Sequence, residues 1–225
     1  MSLNTTEYIQ DGDEAMEIAK SIPYFPFKGI PRFYDIGGFL SKPTVFARIV
    51  EIFCRRYKGM NIDVIAGIDS RGFVLGTPIA LALQKPFVMI RKPGKMPNCV
   101  SSSAYSCEYG HRSGMCLQRD VVKEGDRVLI IDDLVATGGT LTAAIECVHL
   151  LGGVVVECAC VVKLKMFAGK DNATDGGCTD VLPNRTKLFE RLGIGSIPVW
   201  GLISEEILEV VADLPIGYVD DGVEH

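Results

Sequence analysis

Residues 127–144, R-V-L-I-I-D-D-L-V-A-T-G-G-T-L-T-A-A, constrain the fold of this chain more than any other stretch. Residues 128–131 form a short, continuous apolar run, which predicts a strand buried on both faces of a sheet. The run ends on two carboxylates, Asp132 and Asp133. A short loop follows, Ala136-Thr137-Gly138-Gly139-Thr140, and then Leu141, Ala144, Ile145, Val148 and Leu151 recur at the spacing of a helix face. Gly152-Gly153 stops that helix. Strand, acidic pair, Thr/Gly loop and helix, in that order, place the turn at the ligand-binding edge of an open α/β sheet.

The residue types in the turn suit a phosphorylated sugar. Gly138 and Gly139 carry no Cβ, so backbone can approach an anion closely. Unpaired N–H groups at the helix start, aided by the macrodipole, favour phosphate, and Thr137 and Thr140 add hydroxyl donors. The carboxylates suit ribose hydroxyls or a hydrated Mg²⁺ beside them. The turn lacks the lysine of a G-x-x-x-x-G-K-[ST] loop, which excludes a nucleotide triphosphatase loop of that type.

Other segments frame this one. Residues 13–20 predict a short helix, and 21–31 are too rich in aromatics and proline for a solvated linker. Ser41 is placed to N-cap a helix with Pro43 in its first turn, running to about Tyr57, with Val45, Ile49, Ile52 and Phe53 on its apolar face. Residues 64–68 form the next buried strand, 69–72 a turn, and 73–83 a helix. Arg71, at a strand end, is suited to fork onto a diphosphate. A strand at 87–90 runs into Arg91-Lys92-Pro93-Gly94-Lys95, where three cations offer either an anion funnel or a solvated basic loop. Residues 96–117 are polar and aperiodic and read as a flap or loose hairpin. Residues 154–164 and 197–203 are the remaining strands, with 167–184 a surface loop, 186–192 a short helix and 204–225 an acidic tail. The alternation predicts one α/β domain, a mostly parallel sheet of about five strands flanked by helices. The division expected is 1–40 as an N-terminal cover, 41–203 as the core with a flap at 94–118, and 204–225 as the tail.

Composition narrows the function. A net charge of −5 gives no general attraction to nucleic acid or membrane. No apolar run reaches transmembrane length, and the first residues lack a signal-peptide pattern. Eight cysteines occur without C-x-x-C pairs and only three histidines are present, which argues for reduced, mostly buried thiols in a cytoplasmic protein. Cys158 and Cys160 are expected on opposite sides of their strand.

The 127–144 stretch resembles the phosphoribosyl diphosphate (PRPP) signature of the type I phosphoribosyltransferases. I-A-G-I-D-S-R-G-F-V-L-G at 65–76, I-R-K-P-G-K at 90–95 and A-Y-S-C-E-Y-G at 104–110 are similar to the adenine-specific branch of that family. The resemblance covers about residues 20–165. It implies Mg²⁺-dependent transfer of phosphoribose from PRPP to adenine, giving AMP and pyrophosphate, in a homodimer. By resemblance, the stretch from Arg32 to Gly38 belongs to a hood over the purine, within an N-terminal helix and hood at 1–40. Phe33 lies on one adenine face and Leu164 on the other, while the backbone of Arg32 and Tyr34 reads the base edge. Asp132, Asp133 and Ala136 to Thr140 hold ribose and 5-phosphate. Arg71, Arg91, Lys92 and Lys95 hold pyrophosphate. Glu108 is the proton-transfer group, Tyr109 closes over the site, and Asp69–Ser70 is a cis peptide. Mg²⁺ is expected to reach the site through PRPP, near Asp132 and Asp133, without a direct protein ligand. Tyr34 stands where the family often has a basic residue, and Lys163 where relatives often carry Glu. Two rival readings are a PRPP-binding transcriptional regulator of the same fold and a transferase for another base. The first needs a DNA-binding module or basic face, and neither is seen in the sequence.

Overall fold

The computed structural model describes residues 8–27, 29–103, 105–106, 112–165, 180–181 and 196–213. Helix α1 (Asp13–Ala19) leads into the hairpin β1 (Tyr24–Phe27) and β2 (Ile30–Tyr34). The aromatic stretch thus pairs with itself. One turn, α2 (Gly37–Leu40), precedes α3 (Pro43–Tyr57). Strand β3 (Val64–Ile68), helix α4 (Arg71–Leu83) and strand β4 (Phe87–Arg91) follow. Next come the short strands β5 (Cys99–Ser101), β6 (Tyr105–Ser106), β7 (Arg112–Ser113) and β8 (Cys116–Gln118). The chain continues through β9 (Arg127–Ile131), β10 (Leu134–Val135), α5 (Gly139–Leu150) and β11 (Val154–Lys163). Beyond these lie β12 (Asp180–Val181), β13 (Pro198–Ser204) and α6 (Glu205–Val211).

The main sheet runs β12-β13-β11-β9-β3-β4-β8-β5. Its centre, β13-β11-β9-β3-β4, is parallel, the five-stranded core expected. In its central strands β3 and β9 side chains alternate between the two faces. Ala66, Ile68, Val128 and Ile130 pack with Leu141, Ala144, Ile145 and Val148 of α5. Ile65, Leu129 and Ile131 pack on the opposite face with Ile49, Ile52 and Phe53 of α3 and Leu75 and Ile79 of α4. Two covered faces explain why these strands read as unbroken apolar runs. Glu157 is buried in β11 but paired, its carboxylate accepting from Arg56 at 2.8 Å and from the Tyr57 hydroxyl at 2.6 Å. Among the described residues, no helix is long and apolar enough to cross a membrane, and six cysteines are free thiols.

Several expectations need correction. Ser41 does not cap α3: its Oγ donates to the Gly38 carbonyl at 2.9 Å, and Lys42 occupies the cap position. Pro43 starts the helix there without a side-chain cap, because its fixed φ already suits the first turn. Helix α4 begins at Arg71, not at Phe73. Cys158 and Cys160 share one face of β11, since residues two apart on a strand return to the same side. The segment 96–117 is not loose at its base: β5 and β8 extend the main sheet antiparallel beside β4, burying Val100, Met115 and Leu117. Residues 204–225 are not simply a tail, because α6 docks through Leu208 and Ala212. The expected loop at 167–184 includes strand β12, and its remaining residues and the 186–192 helix lie outside the described residues.

Candidate active site

The parallel strands β9, β3 and β4 are neighbours, so the segments leaving their C-terminal ends lie side by side. After β9 comes the acidic pair. Asp133 is buried, 4% exposed, and its Oδ2 accepts from Arg71 Nε at 2.6 Å. Asp132 is half-buried, and its Oδ1 accepts from the Asp133 backbone N–H at 3.0 Å. Burial, then the charge of Asp133, hold the Asp132 carboxyl well above the usual carboxylate range. Two carboxylates placed this way are a poor neighbour for phosphate and a good one for hydroxyl donors or a cation.

The loop beyond β10 turns through Gly138 at φ +73°, a left-handed conformation that glycine adopts without a Cβ penalty. The Gly138 carbonyl accepts from both the backbone N–H and the Oγ1 of Thr142, locking the first turn of α5. Ala136, Gly138 and Gly139 are buried, whereas Thr137 and Thr140 are half-buried. Gly138 has no side chain with which to cap the helix, and a helix start of this kind is suited to an anion. Strand β10 pairs with the end of β11, and the Leu164 N–H donates to the Val135 carbonyl at 2.9 Å. That bond brings Leu164 beside the loop.

After β3, the Asp69–Ser70 peptide is cis, as the resemblance implied. Asp69 gathers the basic segment that follows β4. Its Oδ2 lies 3.6 Å from Lys95 Nζ, 4.0 Å from Arg91 Nε and 3.5 Å from the Lys92 backbone nitrogen. Arg91 Nη1 also donates to the Lys95 carbonyl at 2.8 Å. The segment is thus a folded cationic turn beside an acid, with Lys92 and Lys95 exposed to solvent. Arg71 pairs with Asp133, whereas Arg91 and Lys95 face Asp69.

In the hood, Phe33 is half-buried, with its ring centroid 5.0 Å from that of Phe27. The Tyr34 side chain is core, 4% exposed, and burial raises its hydroxyl pKa. The Arg32 guanidinium lies 4.3 Å over the Tyr24 ring. Glu108 and Tyr109 lie outside the described residues.

Two participants escaped sequence reasoning. Asp69 was noted only for its peptide bond, although an acid in a turn opposite three cations is a readable signal. Glu146, 5% exposed on α5, accepts from the Ser103 N–H at 2.9 Å and Oγ at 2.8 Å. The next residue, Cys147, donates to the Met115 carbonyl at 3.2 Å. One helix thus starts at the Gly138 loop and also holds both strands of the 94–118 segment where they leave the sheet. The signal for Glu146 is its place inside an otherwise apolar helix.

An anion-ready helix start, an acidic pair and a cationic loop at one sheet edge define a phosphoribosyl-transferring α/β enzyme, and a phosphoribosyl transferase domain model matches residues 39–186. Adenine phosphoribosyltransferase 2 of Arabidopsis thaliana is 52% identical over 151 residues, covering 66% of this chain and 77% of the relative. The adenine phosphoribosyltransferase of Geobacter metallireducens is 42% identical over 164 residues, covering 73% and 95%. A Trypanosoma brucei adenine phosphoribosyltransferase solved with AMP, pyrophosphate and ribose-5-phosphate superposes with a TM-score of 0.76 at 28% identity, covering 96% of this chain and 90% of that one. The chain belongs to the adenine phosphoribosyltransferase family.

Proposed function

We infer that this chain transfers the 5-phosphoribosyl group of PRPP to adenine, releasing AMP and pyrophosphate. The observation that carries this reading is the turn from Asp132 to Thr140, with Leu164 hydrogen-bonded beside it. In this reading the N–H groups at the start of α5 and the Thr137 and Thr140 hydroxyls bind the 5-phosphate. The carboxylates of Asp132 and Asp133 accept from the ribose hydroxyls. Arg91, Lys92 and Lys95 stabilise the charge that grows on pyrophosphate as the C1′ bond breaks, and Arg71 joins them by exchanging Asp133 for a diphosphate oxygen. Adenine stacks between Phe33 and Leu164, its edge read by the backbone of Arg32 and Tyr34. The buried Tyr34 side chain suits a residue contributing through its backbone.

The donor set fits Mg²⁺ carried in on PRPP. Mg²⁺ keeps several waters along with substrate oxygens, so the acidic pair would meet it through its hydration shell. Asp132, whose charged form is disfavoured by burial beside Asp133, is a carboxylate that a cation would relieve. The ion would neutralise diphosphate charge. Glu108 is assigned the proton transfer to the base, and Tyr109 the covering of the site, within the 94–118 segment. Closure of that segment would exclude water that otherwise hydrolyses PRPP. A homodimer in the cytoplasm completes the reading. Six free thiols among the described residues support a reducing compartment, and the exposed apolar side chains of Val74 and Leu81 on α4 and of Met89 on β4 support self-association.

The test is a steady-state assay of PRPP and Mg²⁺ with adenine, hypoxanthine, guanine and orotate. Adenine is expected to exceed the others in kcat/KM by two orders of magnitude or more, roughly what a site built on an edge hydrogen bond achieves. Equal turnover of hypoxanthine would overturn the base assignment and leave the phosphoribosyl chemistry standing.

A further inference from the structure

Helix α6 lies beyond the segment matched by the domain model, and nothing above gives it a role. Its contacts are specific. At its first residue, Glu205 Oε2 accepts from the Lys165 backbone N–H at 2.8 Å. Lys165 directly follows Leu164, the residue assigned to one adenine face. One turn further along α6, Glu209 pairs with the exposed Lys165 side chain. Where α6 ends, the Ala212 carbonyl accepts from Arg32 Nη2 at 3.4 Å, and the Asp213 carbonyl accepts from the Tyr24 N–H at 3.4 Å. Arg32 and Tyr24 belong to the hairpin that carries Phe33, and Tyr24 pairs there with Tyr34. The helix itself is pinned by Leu208 and Ala212, 0% and 6% exposed, and before it the Ser204 N–H donates to Asp11 at 3.0 Å.

We propose that α6 sets the spacing of the base site, with Glu205 as a positioning residue that acts through Lys165 on Leu164 and Arg32 as its counterpart on the hood. Glu205 and Ala212 are seven residues apart, about 10 Å along a helix. A single short helix therefore bridges the two segments that flank the base, and its hydrogen bonds fix where each can sit. The inference rests on the assignment of Phe33 and Leu164 to the adenine faces. It adds that recognition of the base depends on residues 205–213, whose described hydrogen bonds run to the segments flanking the base.

The experiment compares Glu205→Ala, Glu205→Gln and Arg32→Met with the parent enzyme, with Phe33→Ala as a control, by KM for adenine, KM for PRPP, kcat and Tm. Glu205→Ala and Arg32→Met are each expected to raise the adenine KM roughly tenfold, about the effect of losing one charge-assisted hydrogen bond. For Glu205→Ala the PRPP KM and kcat should stay within about twofold, and for Arg32→Met the PRPP KM should. Glu205→Gln keeps an acceptor for the Lys165 N–H and should restore the parent value. An unchanged adenine KM, a parallel loss for both substrates with a lowered Tm, or a glutamine variant as impaired as alanine would overturn the proposal. Should Glu205→Ala not fold, Arg32→Met decides by the same readings. If Phe33→Ala raises the adenine KM while Glu205→Ala and Arg32→Met do not, only the role of α6 fails. If Phe33→Ala changes nothing, the base-site assignment fails and this inference with it.

Discussion

At the residue scale, the acidic pair sets stability against function. The Asp132 carboxyl titrates above its ordinary range because of burial and its neighbour Asp133. A raised carboxyl pKa means that the folded chain binds that proton more tightly than the unfolded chain does. Stability from this group is therefore full below the ordinary carboxylate range and is lost as pH rises through the folded-state value. Asp132→Asn removes that loss. Its Tm in the absence of ligand should equal or exceed the parent's at pH 8 and vary less between pH 5 and 8, as thermal unfolding would reveal. Asp132→Asn with Asp133→Asn should weaken PRPP binding far more than adenine binding, measured by calorimetry. Equal losses for both ligands in a folded protein would contradict the ribose assignment. The pair and its Gly-Gly loop could be read in the sequence because strand, acids, glycines and helix are contiguous. The Arg71–Asp133 and Asp69–Lys95 pairs join residues far apart in sequence, and the strand order that brings them together is not a local property.

At the element scale, α4 lies unusually close to β3 and β9. A Cβ on Gly72 would stand 2.5 Å from the Ile131 carbonyl oxygen, a backbone atom that cannot swing aside. Gly72→Ala should push the start of α4, and Arg71 with it, away from the acidic pair. Overpacking of this kind costs about 1–3 kcal/mol. We expect a Tm several degrees lower and a raised PRPP KM, whereas Gly59→Ala, with nothing within 4 Å, should be nearly neutral. Helix α5 allows a second test. Glu146→Leu leaves the Ser103 N–H and hydroxyl without their acceptor, a loss of roughly 1–3 kcal/mol readable in denaturant unfolding. Glu146→Gln can still accept from the N–H and donate to the hydroxyl, so it should keep most of that stability. If leucine and glutamine behave alike, the tie to Ser103 contributes little. The parallel strands and α3, α4 and α5 were legible because continuous runs and 3.6-residue spacing report covered faces directly. Helix α6 was not, since seven residues, E-E-I-L-E-V-V, give too short a period to separate from an acidic tail.

At the scale of the whole molecule, the proposed homodimer needs a surface that a second copy could cover. Val74 and Leu81 are 44% and 79% exposed and stand seven residues apart on α4, two turns along one face. Met89 of β4, beside which α4 packs, is 42% exposed. A row of large apolar side chains at these exposures is costly to leave in water and is the kind of surface a homodimer covers. The same helix begins with Arg71, so a subunit contact along α4 would brace the element that carries that cation to the acidic pair. Leu81→Glu places a charge on the stripe, and a buried unpaired charge is expensive. Sedimentation at micromolar concentration should show the parent chain at twice the monomer mass and Leu81→Glu at the monomer mass. The exposed Leu81 makes little of the chain's own core, so far-ultraviolet circular dichroism should be unchanged. Monomeric Leu81→Glu should also show a higher PRPP KM than the parent, while its adenine KM moves less. A parent chain that sediments as a monomer, or a Leu81→Glu variant that remains dimeric, would move the subunit contact away from α4.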